Sequence, residues 1–156
     1  MRVILVRHGK ASKDPTIPTD AARPLTDRGR EDVANVGKLL AEAGIKVVQI
    51  RHSGLVRAQQ TAEILGELLD PRDGVIAVRG LHYADPVAPL ARELRYEPEP
   101  VMLVGHNPFM ERLVAAMLLI NMGRTPVWFA TSTTACLDYI EGEWSLKWVL
   151  HRELVS

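Results

Sequence analysis

Strand and helix signals that alternate over the first two thirds of the chain, then two strand signals around a turn, predict an α/β fold. The expected architecture is three-layer, α/β/α, with a mainly parallel central sheet and an added C-terminal antiparallel hairpin. A third observation bears on function: three of the expected strands run directly into loops that carry histidine or arginine.

Residues 3–6 (Val3, Ile4, Leu5, Val6) form a short β-branched run ending in Arg7-His8-Gly9, a buried strand feeding a loop. Residues 12–24 are polar, contain proline and have no period. Thr26-Asp27 opens a helix whose apolar face is Val33, Val36, Gly37, Leu39, Leu40 and Ala43, and Gly44 stops it. Residues 47–50 are the second strand and lead into Arg51-His52-Ser53-Gly54. A second helix covers residues 55–69, with Leu55, Ala58, Ala62, Leu65 and Leu69 at helical spacing.

Residues 75–78 are the third strand, and a short helix is expected at residues 89–95 within the proline-rich stretch 80–100. Residues 101–104 form the fourth strand, ending in Gly105-His106-Asn107-Pro108. Asn107 reads as the cap of a helix running to about residue 120. Residues 131–140 and 144–150 read as a hairpin around Glu141-Gly142-Glu143. Trp128, Phe129, Trp144 and Trp148 read as core or hairpin-face aromatics, Cys136 as buried and His151 as a surface residue.

A chain of 156 residues fits one domain spanning residues 1–156, and 47% hydrophobic residues suffice for a core without disulfides or structural metal. Nineteen basic residues against nineteen acidic ones provide no broad positive field for a nucleic-acid partner. A single cysteine excludes an intramolecular disulfide, and the five histidines lack metal-ligand spacing. With no leader-like N-terminus and no apolar run of bilayer length, the chain reads as cytoplasmic, with no membrane partner.

In open parallel sheets, ligands bind at the carboxyl ends of the strands. Arg7-His8-Gly9, His52-Ser53 leading to Arg57, and Gly105-His106 should therefore share one edge. Two arginines and two histidines there suit a tetrahedral dianion, because guanidinium offers a planar fork of donors that stays charged. A neutral histidine with one bare ring nitrogen can attack phosphorus, and a second, when protonated, can stabilise charge on the phosphoryl oxygens. Gly9 would let the backbone approach the imidazole and set its tautomer. Phosphoryl transfer needs chiefly such positioning and charge compensation.

Arg7-His8-Gly9, Arg23-Pro24-Leu25-Thr26 with Gly29, Ser53 with Arg57-Ala58 and Thr61-Ala62, and Gly105-His106 together resemble the histidine phosphatase (phosphoglycerate mutase-like) superfamily. The resemblance spans residues 2–119, and the Arg-Pro-Leu-Thr stretch makes it most similar to the phosphohistidine phosphatase branch. It implies a metal-independent, cofactor-free phosphatase in which His8 becomes transiently phosphorylated. Arg7, Arg57 and His106 would surround the phosphate and Arg23 would reach it, with Gly9, Ser53, Gly105 and His82 in the substrate-binding set.

Two departures stand out. Ser53-Gly54 replaces the common Ser-Pro, and no glutamate occupies the usual general-acid place in Gly80-Leu81-His82-Tyr83-Ala84-Asp85. Asp85 is the candidate acid and His82 the second. The structural alternatives are a turn begun at Asp85-Pro86 and a pocket wall of His82 and Tyr83. A weak acid tilts the expected substrate to phosphohistidine, whose leaving nitrogen can already carry a proton. Short segments at 10–27 and 80–100 predict an open pocket, admitting a phosphorylated protein as well as a small phosphorylated molecule. A small-molecule phosphomonoesterase of the same superfamily and a non-catalytic phospho-ligand binding module are the rival readings.

Overall fold

A run as apolar as residues 3–6 is stable only where both faces of its strand are covered, and the central position of that strand follows. In the computed structural model, which describes residues 1–121 and 123–155, β1 (Arg2–Arg7) buries all four of these side chains. Val3 and Leu5 join one core with Leu81, Leu103, Phe109 and Leu113. Ile4 and Val6 join the other with Val33, Val36, Ala58 and Leu65. Burying one such side chain contributes roughly 1.5–3 kcal/mol before chain entropy is subtracted.

The remaining strands are β2 (Gln49–His52), β3 (Val75–Ala77), β4 (Val101–Gly105), β5 (Thr134–Ile140) and β6 (Glu143–Leu150). They form one six-stranded sheet in the order β3-β2-β4-β1-β5-β6. β1, β2, β3 and β4 pair in parallel, whereas β5 runs antiparallel to both β1 and β6. The helices are α1 (Asp27–Glu42), α2 (Val56–Leu69), α3 (Ala88–Leu94) and α4 (Phe109–Met117). Residues of α1 and α2 pack on one face of the sheet, those of α3 and α4 on the other. The expected α/β/α sandwich with a C-terminal antiparallel pair is the observed one.

α1 begins where its capping residue places it: the Thr26 hydroxyl accepts the Gly29 N–H at 2.9 Å. Other boundaries differ from the sequence expectation. β2 starts two residues later than predicted because its ladder with β4 sets in at Gln49↔Val101, while Val47 is buried from the preceding coil. Asn107 does not cap α4; Pro108 stands at the cap, and the Asn107 amide instead donates to Glu111 and to the Phe129 carbonyl. α4 also ends at Met117 rather than near residue 120.

Trp128, expected in the core or on the hairpin face, is 71% exposed, whereas its neighbour Phe129 is fully buried. Trp144 and Trp148 are half-buried on β6, and Cys136 is buried as predicted. His151 is half-buried rather than a surface residue, with Nδ1 3.1 Å from the Thr133 hydroxyl. No helix among the described residues is long and apolar enough to cross a membrane.

Candidate active site

The strand order brings the site together. β4 lies between β1 and β2, and all three are parallel, so their carboxyl ends meet at one edge. Arg7-His8 leaves β1 there, His106 follows β4, and His52-Ser53 closes β2 ahead of Arg57 in the first turn of α2. The His8 and His106 rings lie 5.0 Å apart, centroid to centroid.

His8 is held by three backbone contacts. Its N–H donates to the Gly105 carbonyl at 3.0 Å, and its carbonyl accepts from Ser132 N–H at 3.1 Å. Its ring Nδ1 is 2.7 Å from the Gly9 carbonyl, an acceptor, so Nδ1 carries the proton and Nε2 is bare. Burial and the charges of Arg57, Arg7 and Arg23 push its pKa down to about 4, against the opposing hydrogen bond to Gly9, and the ring is neutral at pH 7. Gly9 does fix the tautomer, but packing is what requires glycine there. A Cβ at position 9 would sit 2.8 Å from Val33 Cγ2 and 3.0 Å from the Gly29 carbonyl of α1. The Gly9 N–H donates to the Thr61 hydroxyl at 3.0 Å, and that hydroxyl donates to the Arg57 carbonyl at 2.8 Å, joining the loop to α2.

Three arginines face this histidine. Arg7 Nη1 donates to the Phe129 carbonyl at 2.9 Å, and its buried Nε has no partner among the described residues. Arg23 is aimed by the loop base, where Ser12 N–H donates to the Pro24 carbonyl and Arg23 Nε donates to the Ser12 carbonyl at 2.7 Å. Arg57 is buried, and its two terminal nitrogens both go to Asp20: Nη1 to the backbone carbonyl at 2.9 Å, Nη2 to Oδ2 at 3.1 Å.

Arg23 Nη1 donates to the other carboxylate oxygen, Oδ1, at 3.0 Å. Asp20 is the residue that the sequence reading missed. It lies in a 3-10 turn (Asp20–Ala22) capped by Thr19, inside the stretch with no period. The usable signals were the Thr19 cap and the three-residue spacing from Asp20 to Arg23.

His106 Nε2 is 2.6 Å from the Ser53 hydroxyl, which also accepts the Leu55 N–H at 3.3 Å. Burial first, then the charge that His8 itself takes up in acid and the standing charge of Arg57, push the His106 pKa down to about 3. The free site therefore holds a neutral His106, not the protonated form considered from sequence, and its buried Nδ1 has no partner among the described residues. Gly54 adopts a φ of 92°, a left-handed value that proline cannot take, so the loop after Ser53 differs in shape from a Ser-Pro loop. Arg57 still reaches the cluster.

Gly105 stands behind His8 as its backbone acceptor, the Thr133 carbonyl accepts the Arg7 N–H, and the Ser132 N–H donates to the Arg7 and His8 carbonyls. Tyr83 stands edge-on to His106 with centroids 6.0 Å apart, and His82 stacks on Tyr83 at 3.9 Å, forming a wall beside the cluster. The Asp85 carboxylate accepts the His82 N–H at 2.9 Å and closes a turn of its own loop, with Asp85 N–H donating to the His82 carbonyl at 3.0 Å. A cavity of about 470 Å³, lined by Lys13, Asp14, Asp20 and Arg23 among others, adjoins the cluster through Asp20 and Arg23. No group of three or more potential metal ligands is gathered among the described residues.

Residues 3–82, just over half of the chain, match the family model of the histidine phosphatase superfamily, branch 1. Phosphohistidine phosphatase SixA of Escherichia coli (strain K12) is 27% identical over 153 residues, covering 95% of this chain and 92% of that protein. A solved structure of the protein histidine phosphatase SixA complexed with tungstate superposes with a TM-score of 0.88 over 99% of both chains, at 26% identity. The mitochondrial serine/threonine-protein phosphatase Pgam5 of Drosophila persimilis is 43% identical over 68 residues, or 44% of this chain. The chain spans only 23% of that longer relative's length. A sheet edge that gathers the expected histidines and arginines, together with these matches, leads to one assignment: this chain belongs to the histidine phosphatase superfamily.

Proposed function

We propose that this chain is a phosphatase that works through a phosphohistidine intermediate on His8 and acts on phosphohistidine carried by a protein. The observation that carries the reading is the His8 ring itself: Nδ1 tied to the Gly9 carbonyl, Nε2 bare, the ring neutral, and three arginines around it. His8 Nε2 attacks phosphorus and the bond from phosphorus to the leaving atom breaks. Arg7, Arg23, Arg57 and His106 hold the phosphoryl oxygens, where charge-assisted hydrogen bonds are the strong ones. Water then attacks phospho-His8, releasing phosphate and restoring the neutral ring.

The leaving group needs a proton, and the chain offers little help with it. Asp85 spends its carboxylate on its own turn, and the neighbouring His82 is stacked on Tyr83. General acid help is worth about 10²–10⁴-fold, so an alkyl phosphate suffers most from its lack. The imidazole of phosphohistidine can be protonated before the bond breaks and suffers least. The similarity to SixA proteins over nearly the full length supports the same substrate, and tungstate, which one of them binds, is a tetrahedral oxyanion of the shape this cradle suits. No metal enters the proposed steps. The proposed compartment is the cytoplasm, where a lone buried thiol such as Cys136 stays reduced.

Hydrolysis of a phosphohistidine peptide and of p-nitrophenyl phosphate, after EDTA treatment and with His8→Ala as control, tests the proposal. The expected outcome is chelator-resistant activity, higher on the peptide and abolished in the variant. Full activity of His8→Ala would end the histidine mechanism, and equal rates on the two substrates would remove the preference for phosphohistidine.

A further inference from the structure

Asp20 has no part in the steps above, yet it joins two arginines of the cradle. One carboxylate is shared by two guanidinium groups, Oδ2 taking Arg57 Nη2 and Oδ1 taking Arg23 Nη1. A phosphoryl group bound by the same two arginines would need those same donors. Arg57 is 6% exposed and has no other acceptor for Nη2 among the described residues, whereas the Asp20 side chain is 49% exposed. The carboxylate can therefore rotate into water at small cost, and the arginine cannot follow it.

We propose that Asp20 is a built-in competitor for the phosphoryl seat, an affinity-setting residue that every ligand must displace from Arg57 and Arg23. The inference rests on the phosphoryl site described under the proposed function. Displacement subtracts the same free energy from every ligand, whatever its charge. A phosphoryl dianion, drawn by Arg7 as well as by the two freed guanidinium groups, still binds. A monoanion such as a phosphodiester or a carboxylate merely exchanges one single charge for another and gains little. Asp20 thus sets a threshold of binding strength that doubly charged phosphoryl groups clear and weakly bound monoanions do not, while the ratio of their affinities stays the same. While Asp20 is engaged, its backbone carbonyl and carboxylate also hold the Arg57 guanidinium in place.

Two tetrahedral oxyanions of equal shape and different charge, tungstate (dianion) and perrhenate (monoanion), separate displacement from simple repulsion. Their dissociation constants are measured by calorimetry on the full chain, as wild type, Asp20→Asn and Asp20→Ala, at fixed pH and ionic strength. Asparagine keeps the size and the backbone contact to Arg57 Nη1; alanine removes the side-chain acceptor altogether. Loss of a charged hydrogen-bonded partner at a half-exposed position predicts tightening on the order of tenfold. The factor should be comparable for the two ions and at least as large in Asp20→Ala.

A gain for tungstate that is the square of the gain for perrhenate would mean that Asp20 acts only through its field, overturning the competitor role. Unchanged or weaker binding in both variants would overturn it too, and make Asp20 a positioning residue for Arg57. If both ions tighten while the wild type hydrolyses neither test substrate, the inference stands and the hydrolase reading falls.

Discussion

Lowering the pH from about 7.5 to about 5 should destabilise the folded chain chiefly through His8 and His106. Both rings are buried among arginines, with pKa values pushed down from 6.5 to about 4 and about 3. The folded state therefore refuses a proton that the unfolded chain accepts. Each ring leaves stability intact above about pH 6.5, and stability is lost as the pH falls from there towards the folded-state value. At about pH 5 an unfolded histidine is almost wholly protonated and a folded His8 only about a tenth so, a difference worth about 2 kcal/mol. His106 contributes a similar amount.

Against a typical total of roughly 5–15 kcal/mol, that loss moves a urea midpoint visibly. The window is favourable, because the carboxylates with lowered pKa (Asp14, Asp20, Asp73, Glu99 and Asp138) lose their contribution only at more acid pH. The assay is urea unfolding at both pH values for the wild type, His8→Asn and the double variant with His106→Asn. Each substitution should shrink the pH-dependent loss by about 2 kcal/mol. A double variant that loses as much stability as the wild type would refute the claim that these rings are held neutral by burial.

Two further outcomes follow from contacts in the site. Gly9→Ala should lower stability by about 1–3 kcal/mol, since its Cβ would crowd Val33 and the Gly29 backbone; an unchanged urea midpoint would refute the packing account. Asp85→Asn should keep turnover of the phosphohistidine peptide within about threefold, because its carboxylate serves the His82 turn; a loss approaching the ~10²–10⁴-fold value of general acid catalysis would make Asp85 the proton donor.

Elements whose signal is local were legible in the sequence. The β-branched run of β1, the Thr26 cap and apolar stripe of α1, and the register-setting apolar stretch of β4 each carry their conformation in neighbouring residues. Where partners decide, the reading slipped. β2 moved by two residues because its pairing with β4 sets its limits, and Asn107 bonds sideways to Glu111 and Phe129 instead of capping α4. Trp128 and Phe129 look alike as neighbouring aromatics, yet one is exposed and the other buried.

The same division runs through the site. Arg7, His8, Arg57 and His106 stand at the ends of strands or the start of a helix, so spacing alone marks them and their meeting at one edge follows from a parallel sheet. By itself the sequence determined the motif residues that mark the family and the class of fold that presents them. Only the tertiary structure decided the strand order that sets β4 between β1 and β2, the neutral state of both histidines and the placing of Asp20 between two arginines. The reason is physical: local periodicity records what a residue's neighbours in the chain require, whereas desolvation and ion pairing depend on groups that sequence separation does not reveal.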